Sequence, residues 1–279
     1  MITVKQMGQS DIAFAKSLTD IEEWGHLEED FERFLFLDPA GCYVARQDGR
    51  RAGIVTSVSY GNQSFLGNLI VQKEMRGRGI GVKLMEDVID HLDRKGAKTI
   101  ELDGVFKAVQ TYRILGFKDK YLSMRFVRPA AKDRTHMEER KAGCTEDIEG
   151  ILRFDLEKTG IDRSMFLEHL IKRHPHTTYT VHREGIAAYA VIRERANEML
   201  HIGPMVAENE SAAGDLIAKI CTKHINKDLT VGIPCINTAA LKMVVQHGFL
   251  HRPPSLRMYR GSRVEYERNV YAIVSADAG

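Results

Sequence analysis

An α+β chain made of two copies of one fold in tandem is what this sequence predicts, and three observations carry the expectation. A short apolar strand runs through a glycine-rich turn into an amphipathic helix over residues 64–92. A Gly-Phe pair closes a helical stretch at Gly116-Phe117 and recurs at Gly248-Phe249. The length, 279 residues, is enough for two separate cores.

The turn is the most informative stretch. Residues 76–84 read RGRGIGVKL, with Gly77, Gly79 and Gly81 alternating with Arg76, Arg78 and Ile80. Glycine weakens helix and strand alike, so three in six positions need a local reason. Residues 64–71 before them, SFLGNLIV, fit a buried strand. After them Val82, Leu84, Met85, Val88, Ile89 and Leu92 fall at helical spacing, and Arg94-Lys95-Gly96 is a C-terminal stop signal. Bare backbone N–H groups at a helix N-terminus, flanked by arginine, form an anion site suited to a pyrophosphate. A P-loop spelling, GxxxxGK[ST], is absent, and the dinucleotide spacing GxGxxG is replaced by GxGxG. What remains is R-x-x-G-x-G at Arg76, Gly79 and Gly81; a tight turn on an exposed basic loop would be spelled similarly.

The other elements follow in order. Residues 11–21 and 28–37 read as helices at the N-terminus, and 98–103 as the strand after the glycine-turn helix. Residues 108–117 carry A-x-x-x-Y-x-x-x-G-F, with Tyr112 at the centre. In the second copy, residues 201–206 correspond to the strand ending at Val71, and Leu216, Ile217 and Ile220 begin the matching helix. Residues 186–192 and 241–245 are further apolar stretches of that copy, and Ala240 matches Ala108. The polar, proline-led stretch 128–134 marks the boundary. The copies differ where chemistry is concerned. Ala207-Glu208-Asn209-Glu210 stands in place of the basic glycine turn, so a pyrophosphate there would meet two carboxylates. Val244 stands in place of Tyr112. The tail at 270–274 reads as a strand, and its sheet is not specified by the sequence.

The order of strand, RxxGxG turn, helix, strand and AxxxYxxxGF resembles the GNAT superfamily of acyl-CoA-dependent N-acetyltransferases. Further strings, among them WGHLEED at 24–30, GIDRS at 160–164 and LRMYRG at 256–261, resemble its tandem YitH-like branch. The resemblance implies two tandem GNAT-type domains, each a mixed, mostly antiparallel sheet flanked by helices, with a degenerate second copy. It divides the chain into a catalytic domain at 1–127, a linker at 128–140 and a second domain at 141–279 that shapes the acceptor pocket. It makes Ile70 and Val71 the pantetheine strand. It makes Arg76, Gly77, Arg78, Gly79, Ile80, Gly81 and Val82 the pyrophosphate turn of acetyl-CoA, and Tyr112 the acid that protonates the departing thiolate. An asparagine seven residues before that tyrosine is frequent in the family; here the position is Val105, and Asn237 holds it in the second copy.

The implied reaction is transfer of an acetyl group to the amine of a small molecule by direct attack, with no metal. Trp24 and His26 then border the acceptor pocket, although a lone tryptophan also suits a core or staple position. Glu28 and Asp30 are either pocket polars or the acidic first turn of a helix. The family glutamate before the phosphate turn is missing, since that strand offers only Ser64 and Asn68. Asp103 is the substitute base, directly or through water, or else a strand-end acid. Arg163 either holds an acceptor carboxylate in the groove between the domains, with the Arg257 segment beside it, or follows an Asp162 helix cap. A non-catalytic acyl-CoA or amino-compound sensor is the second reading, and Tyr112 argues against it.

Composition bounds the partners. A formal charge of +2 gives no global reason to expect nucleic acid or an anionic membrane. No apolar run approaches a membrane span and no signal-peptide core opens the chain, so a cytoplasmic protein is expected, compatible with a homodimer. Cys42, Cys144, Cys221 and Cys235 show no CxxC pairing and read as reduced thiols. Pro175 breaks the helical face that would be needed to bring His169, His174 and His176 together, and they read as a solvated basic loop.

Overall fold

The computed structural model describes residues 1–131 and 147–279, so most of the expected linker (132–140) and Cys144 lie outside the described residues. The described chain forms two compact units. The first holds Met1–Lys120 with Arg257–Arg263 and Asp277–Gly279, and the second holds Tyr121–Leu256 with Val264–Ala276.

In the first unit β1 (Ile2–Gln6) leads to helices α1 (Ile12–Ile21) and α2 (Glu28–Leu37). Strands β2 (Tyr43–Gln47), β3 (Arg50–Tyr60) and β4 (Gln63–Val71) continue an antiparallel run with β1. Asp48 and Gly49, both with positive φ, make the two-residue connection that pins the β2–β3 register. Helix α3 (Ile80–Arg94) follows, then β5 (Thr99–Gly104), which pairs parallel with β4, and α4 (Val109–Ile114). Ile80, Leu84, Met85, Val88, Ile89 and Leu92 are all buried, so the helical spacing in the sequence is the inward stripe of α3. Each such side chain contributes roughly 1.5–3 kcal/mol by leaving water. Gly96 adopts φ +87 and Ala97 N–H bonds Leu92 O at 3.0 Å, which closes the helix where the stop signal stands.

β6 (Lys118–Arg128) begins in the first unit, but from Tyr121 onward it belongs to the second. The second unit contains α5 (Ile148–Thr159), α6 (Ser164–Arg173), β7 (Thr178–His182), β8 (Ile186–Glu194) and β9 (Leu200–Ala207). α7 (Glu210–Lys223), β10 (Leu229–Pro234) and α8 (Thr238–Gln246) come next. β11 (Leu250–Gly261) and β12 (Val270–Ala272) end the chain. The strand order in this unit is β6-β10-β9-β8-β7, with β6 antiparallel to β10 from Leu229↔Arg128 to Pro234↔Ser123. Its core gathers Ile202, Met205, Leu216, Ile217, Ile220, Val231 and Val244.

The units therefore do not coincide with contiguous halves of the sequence. The strand that follows α4 serves the second unit, while the strand that follows α8 gives Arg257–Arg263 to the first. Ser262 N–H bonds Lys98 O at 2.9 Å and Thr99 Oγ1 donates to Ser262 O at 2.7 Å, fixing that segment beside β5. Each unit thus includes part of a strand, β6 from Tyr121 or β11 from Arg257, that the other copy's sequence supplies.

Candidate active site

The site of the first unit begins where two neighbouring strands part. β4 and β5 pair only from Gln63↔Thr99 to Leu66↔Leu102, whereas β4 continues along β3 to Gly53↔Val71. The β3–β4 register slips between Ile54 and Thr56, and Asn68 sits at φ +53. This is a bulge, which bends the strand and re-aims side chains. Beyond it Ile70 and Val71 carry backbone groups that β5 no longer takes up, as required of a strand that receives an extended amide-bearing arm.

The glycine turn follows at once. Gly77 and Gly79 adopt φ +77 and +80, conformations that cost an L-residue about 1–2 kcal/mol. A Cβ at either would meet nothing within 4 Å, so the space above the turn is open. Gly79 is the N-cap of α3 and provides no side-chain acceptor, which leaves the first N–H groups of the helix to an external anion. Gly81 lies 3.6 Å (as a built Cβ) from Val71 Cγ2, Ile80 is buried beneath, and Val82 is exposed. Arg76 is engaged in holding the turn: its Nε donates to Val71 O at 2.9 Å and its Nη2 pairs with Glu22, at the end of α1. That pairing holds the Glu22 carboxyl below its ordinary range. Arg78 is exposed, with Nη2 donating to Glu74 O at 3.2 Å, and is the cation open to a phosphate.

Tyr112 sits on α4 with its ring edge-on to Phe117, centroids 6.2 Å apart. A Cβ on Gly104 would approach that ring to 3.0 Å, so the glycine at the end of β5 lets the ring pack closely against the strand. Burial pushes the phenol up to about 12, and the hydroxyl has no hydrogen-bond partner among the described residues.

The α1–α2 connection carries Trp24 and His26. Gly25 at φ +69 lets the chain turn between them. Trp24 is half-buried, 6.3 Å from the His26 ring, and Phe31 lies 5.7 Å from the same ring (centroid distances). His26 is buried, and its Nε2 lies 2.8 Å from Asp277 Oδ2. Asn68 Nδ2 donates to the same oxygen at 3.1 Å and to Thr56 Oγ1 at 3.0 Å. A Cβ at Gly67 would stand 2.2 Å from Asp277 Cβ, so the glycine before the bulge makes room for the tail. Tyr60 donates to Ala278 O at 2.9 Å and secures it. The sequence singled out Trp24 and His26; nothing in it pointed to Asp277.

Two expectations, Asp103 and Arg163 as site residues, are revised, and Asp30 takes the helix-turn place, one of its two readings. Asp103 is the counter-ion of Arg257, whose Nε and Nη2 reach its two oxygens at 2.9 and 3.1 Å. Arg257 Nη1 also reaches Glu101 at 3.3 Å, and Lys120 meets the other Glu101 oxygen at 2.5 Å, all with buried side chains. With both oxygens taken by a guanidinium, Asp103 is no base. Arg163 is buried inside the second unit, bidentate to Asp155 at 2.8 and 2.7 Å, and Tyr189 OH donates to Asp155 at 2.5 Å. It holds no acceptor, and Asp162 caps the following turn through Ser164 N at 3.1 Å. Asp30 accepts from Leu27 N at 3.0 Å and pairs with Arg33, so it belongs to the start of α2. Arg163→Ala strips the partner from a buried carboxylate and is expected to cost about 3 kcal/mol of stability. CoA affinity should not change, and chemical unfolding alongside CoA titration checks both.

The second unit repeats the strand geometry and fills it. β9 parts from β10 after Ile202↔Val231, and its register with β8 slips between Ala190 and Ile192. Into that gap runs β12, pairing antiparallel with β9 at Val270↔Val206, while Ile273 N–H bonds Gly232 O of β10 at 3.0 Å. Arg193 and His201 both hold Val274 O, at 2.6 and 3.0 Å. The N-terminus of α7 is capped by Asn209, which accepts from Ala212 N at 2.9 Å. Val244 is wholly buried, and Asn237 caps α8 and ties Val270 O at 2.9 Å. The chain's own tail strand thus fills the gap between β9 and β10, and the helix terminus is satisfied internally.

Comparison with known proteins agrees with this architecture. Residues 12–117 match the acetyltransferase (GNAT) family model and residues 151–272 match a second acetyltransferase (GNAT) domain model. The chain belongs to the GNAT superfamily, with two GNAT domains in tandem. Holothin acyltransferase from a Pseudoalteromonas strain is 23% identical over 269 residues, covering 93% of this chain and 90% of that protein. A putative acetyltransferase from Pyrococcus horikoshii superposes with a TM-score of 0.81 at 22% identity, covering 100% of this chain and 96% of its own. A GCN5-related N-acetyltransferase from Sphaerobacter thermophilus gives 0.65 at 14% identity, over 94% and 98% of the two chains. Among the described residues no His, Cys, Asp or Glu cluster could hold a metal, and no helix is long and apolar enough to cross a membrane.

Proposed function

We propose that this acyltransferase moves an acetyl group from acetyl-CoA to the amine of a small molecule, and that only the first unit does so. The contrast between the two glycine-turn positions carries the reading. In the first unit the helix terminus has no side-chain cap and, among the described residues, no tail strand pairs into the strand gap; in the second an asparagine and β12 take those places.

The chain's residues divide the work. Gly77–Val82 offer backbone N–H groups and Arg78 offers charge to the pyrophosphate, while Ile70 and Val71 offer strand-edge groups to the pantetheine amides. A backbone N–H near the Asn68 bulge is suited to the oxyanion that forms at the thioester carbon. Tyr112, protonated throughout the physiological range, donates to the departing sulfur. Full proton transfer from a phenol near 12 to a thiolate of ordinary basicity is uphill by about 5 kcal/mol. Hydrogen bonding to the developing thiolate is therefore its main contribution.

Tyr112→Phe should lower turnover by about 10²-fold with little effect on CoA affinity. Because burial raises this phenol, it keeps its proton as pH rises, and no alkaline fall in turnover below pH about 10 should be assignable to it. Steady-state rates of both proteins across pH test this. Acetyl-CoA incubated with the protein and a panel of amines, with free thiol followed, tests the reaction itself. Tight CoA binding with no thiol release from any amine would favour a sensor.

A further inference from the structure

Two acceptor atoms at the His26–Asp277 contact stand buried without a donor: His26 Nδ1 and Asn68 Oδ1. His26 is 5% exposed and Asn68 3%. A buried acceptor left without a donor costs about 1–3 kcal/mol, so two beside one carboxylate mark a place where N–H donors belong. The hydrogen-bond network fixes the imidazole's orientation. An ionised Asp277 only accepts, so the nitrogen facing it, Nε2, carries the hydrogen, and whenever the ring is neutral its lone pair lies at Nδ1. Asn68 is fixed likewise: its Nδ2 serves Asp277 and Thr56, which turns Oδ1 away from that carboxylate and leaves it buried without a donor.

We propose that His26 is the base that deprotonates the acceptor amine, and that Asp277 is the positioning residue that fixes its tautomer. This rests on the N-acetyltransferase reading above. Asn68 Oδ1 accepts one N–H of the incoming ammonium and His26 Nδ1 takes the proton of another. The freed nitrogen pair forms the C–N bond, and the C–S bond breaks with its electrons on sulfur. Asp277 neutralises the imidazolium. Two protons leave the ammonium nitrogen overall; one ends on the CoA thiol and one reaches solvent from His26. The sheet provides no carboxylate at this place, since the strand before the turn carries Asn68 there and Asp103 is held by Arg257. The tail delivers Asp277 across 251 residues instead.

Ring 15N spectra of the full-length protein should show His26 with hydrogen on Nε2 and an unprotonated Nδ1, and Asp277→Asn should redistribute the tautomers. With the best primary amine of the panel, His26→Gln should lose at least 10²-fold in turnover and Asp277→Asn about 10-fold, both with unchanged CoA affinity. The loss should shrink for hydrazine and aromatic amines, which are already neutral at the assay pH; a structural role would depress all acceptors alike. An Nδ1–H tautomer, unaffected turnover in His26→Gln, or equal losses on basic and weakly basic amines overturns the inference. A wild-type protein that binds CoA yet acetylates none of the amines instead overturns the reading of the reaction.

Discussion

Arg257→Ala should lower the unfolding free energy of the first unit by about 3–5 kcal/mol, because it takes the guanidinium from both Asp103 and Glu101. The guanidinium also lies 5.1 Å from the centre of the Phe65 ring, so packing is lost along with charge. The expected midpoint shift appears in urea unfolding followed by circular dichroism. Arg257→Met combined with Asp103→Leu removes one full ion pair and should recover part of the loss. Wild-type stability in Arg257→Ala would contradict the account of this network. The consequence reaches the site: Arg257 anchors β5, and Gly104 at the end of β5 forms the floor against which the Tyr112 ring packs.

Arg76→Glu combined with Gly79→Val should weaken CoA binding at least 10²-fold, about 2.8 kcal/mol. Glutamate at 76 loses the bond to Val71 O and confronts Glu22. Valine at 79 must take a positive φ, and its branches would stand over the N–H groups that the turn leaves open. Because no atom lies within 4 Å of the added Cβ, the substitution acts on backbone conformation and on access rather than by collision. The strain at position 79 costs about 1–2 kcal/mol, so the thermal transition should fall by several degrees while the fold is kept, a loss too small to account for the lost CoA binding by unfolding.

What could be read from sequence was what is written locally. The glycine turn, the stop of α3 at Gly96 and the position of Tyr112 are each spelled within a dozen residues, by backbone conformations only glycine takes easily and by helical spacing. Replacement of the basic glycine turn in the second copy was equally local, since Glu208, Asn209 and Glu210 are neighbours. Burial and long-range pairing were not legible. Asp103 and Arg163 look like accessible polar residues at element ends, and only their partners Arg257 and Asp155 show them to be internal ion pairs. β6 and β11 occupy equivalent places in their copies, so no composition distinguishes a strand kept from a strand exchanged. Asp277, in a short tail of small residues, carries no pattern of its own. The tail strand was visible as apolar at 270–274, but its place between β9 and β10 depends on a gap that opens only once the sheet has formed.

The central claim is that one unit of two takes CoA, and calorimetric titration of the full chain with CoA tests it most directly. One equivalent per chain, lost in the Arg76→Glu, Gly79→Val variant, is the predicted result. Two equivalents, or one that survives in that variant, would contradict it, because the second unit would then be admitting CoA despite β12 and the Asn209 cap.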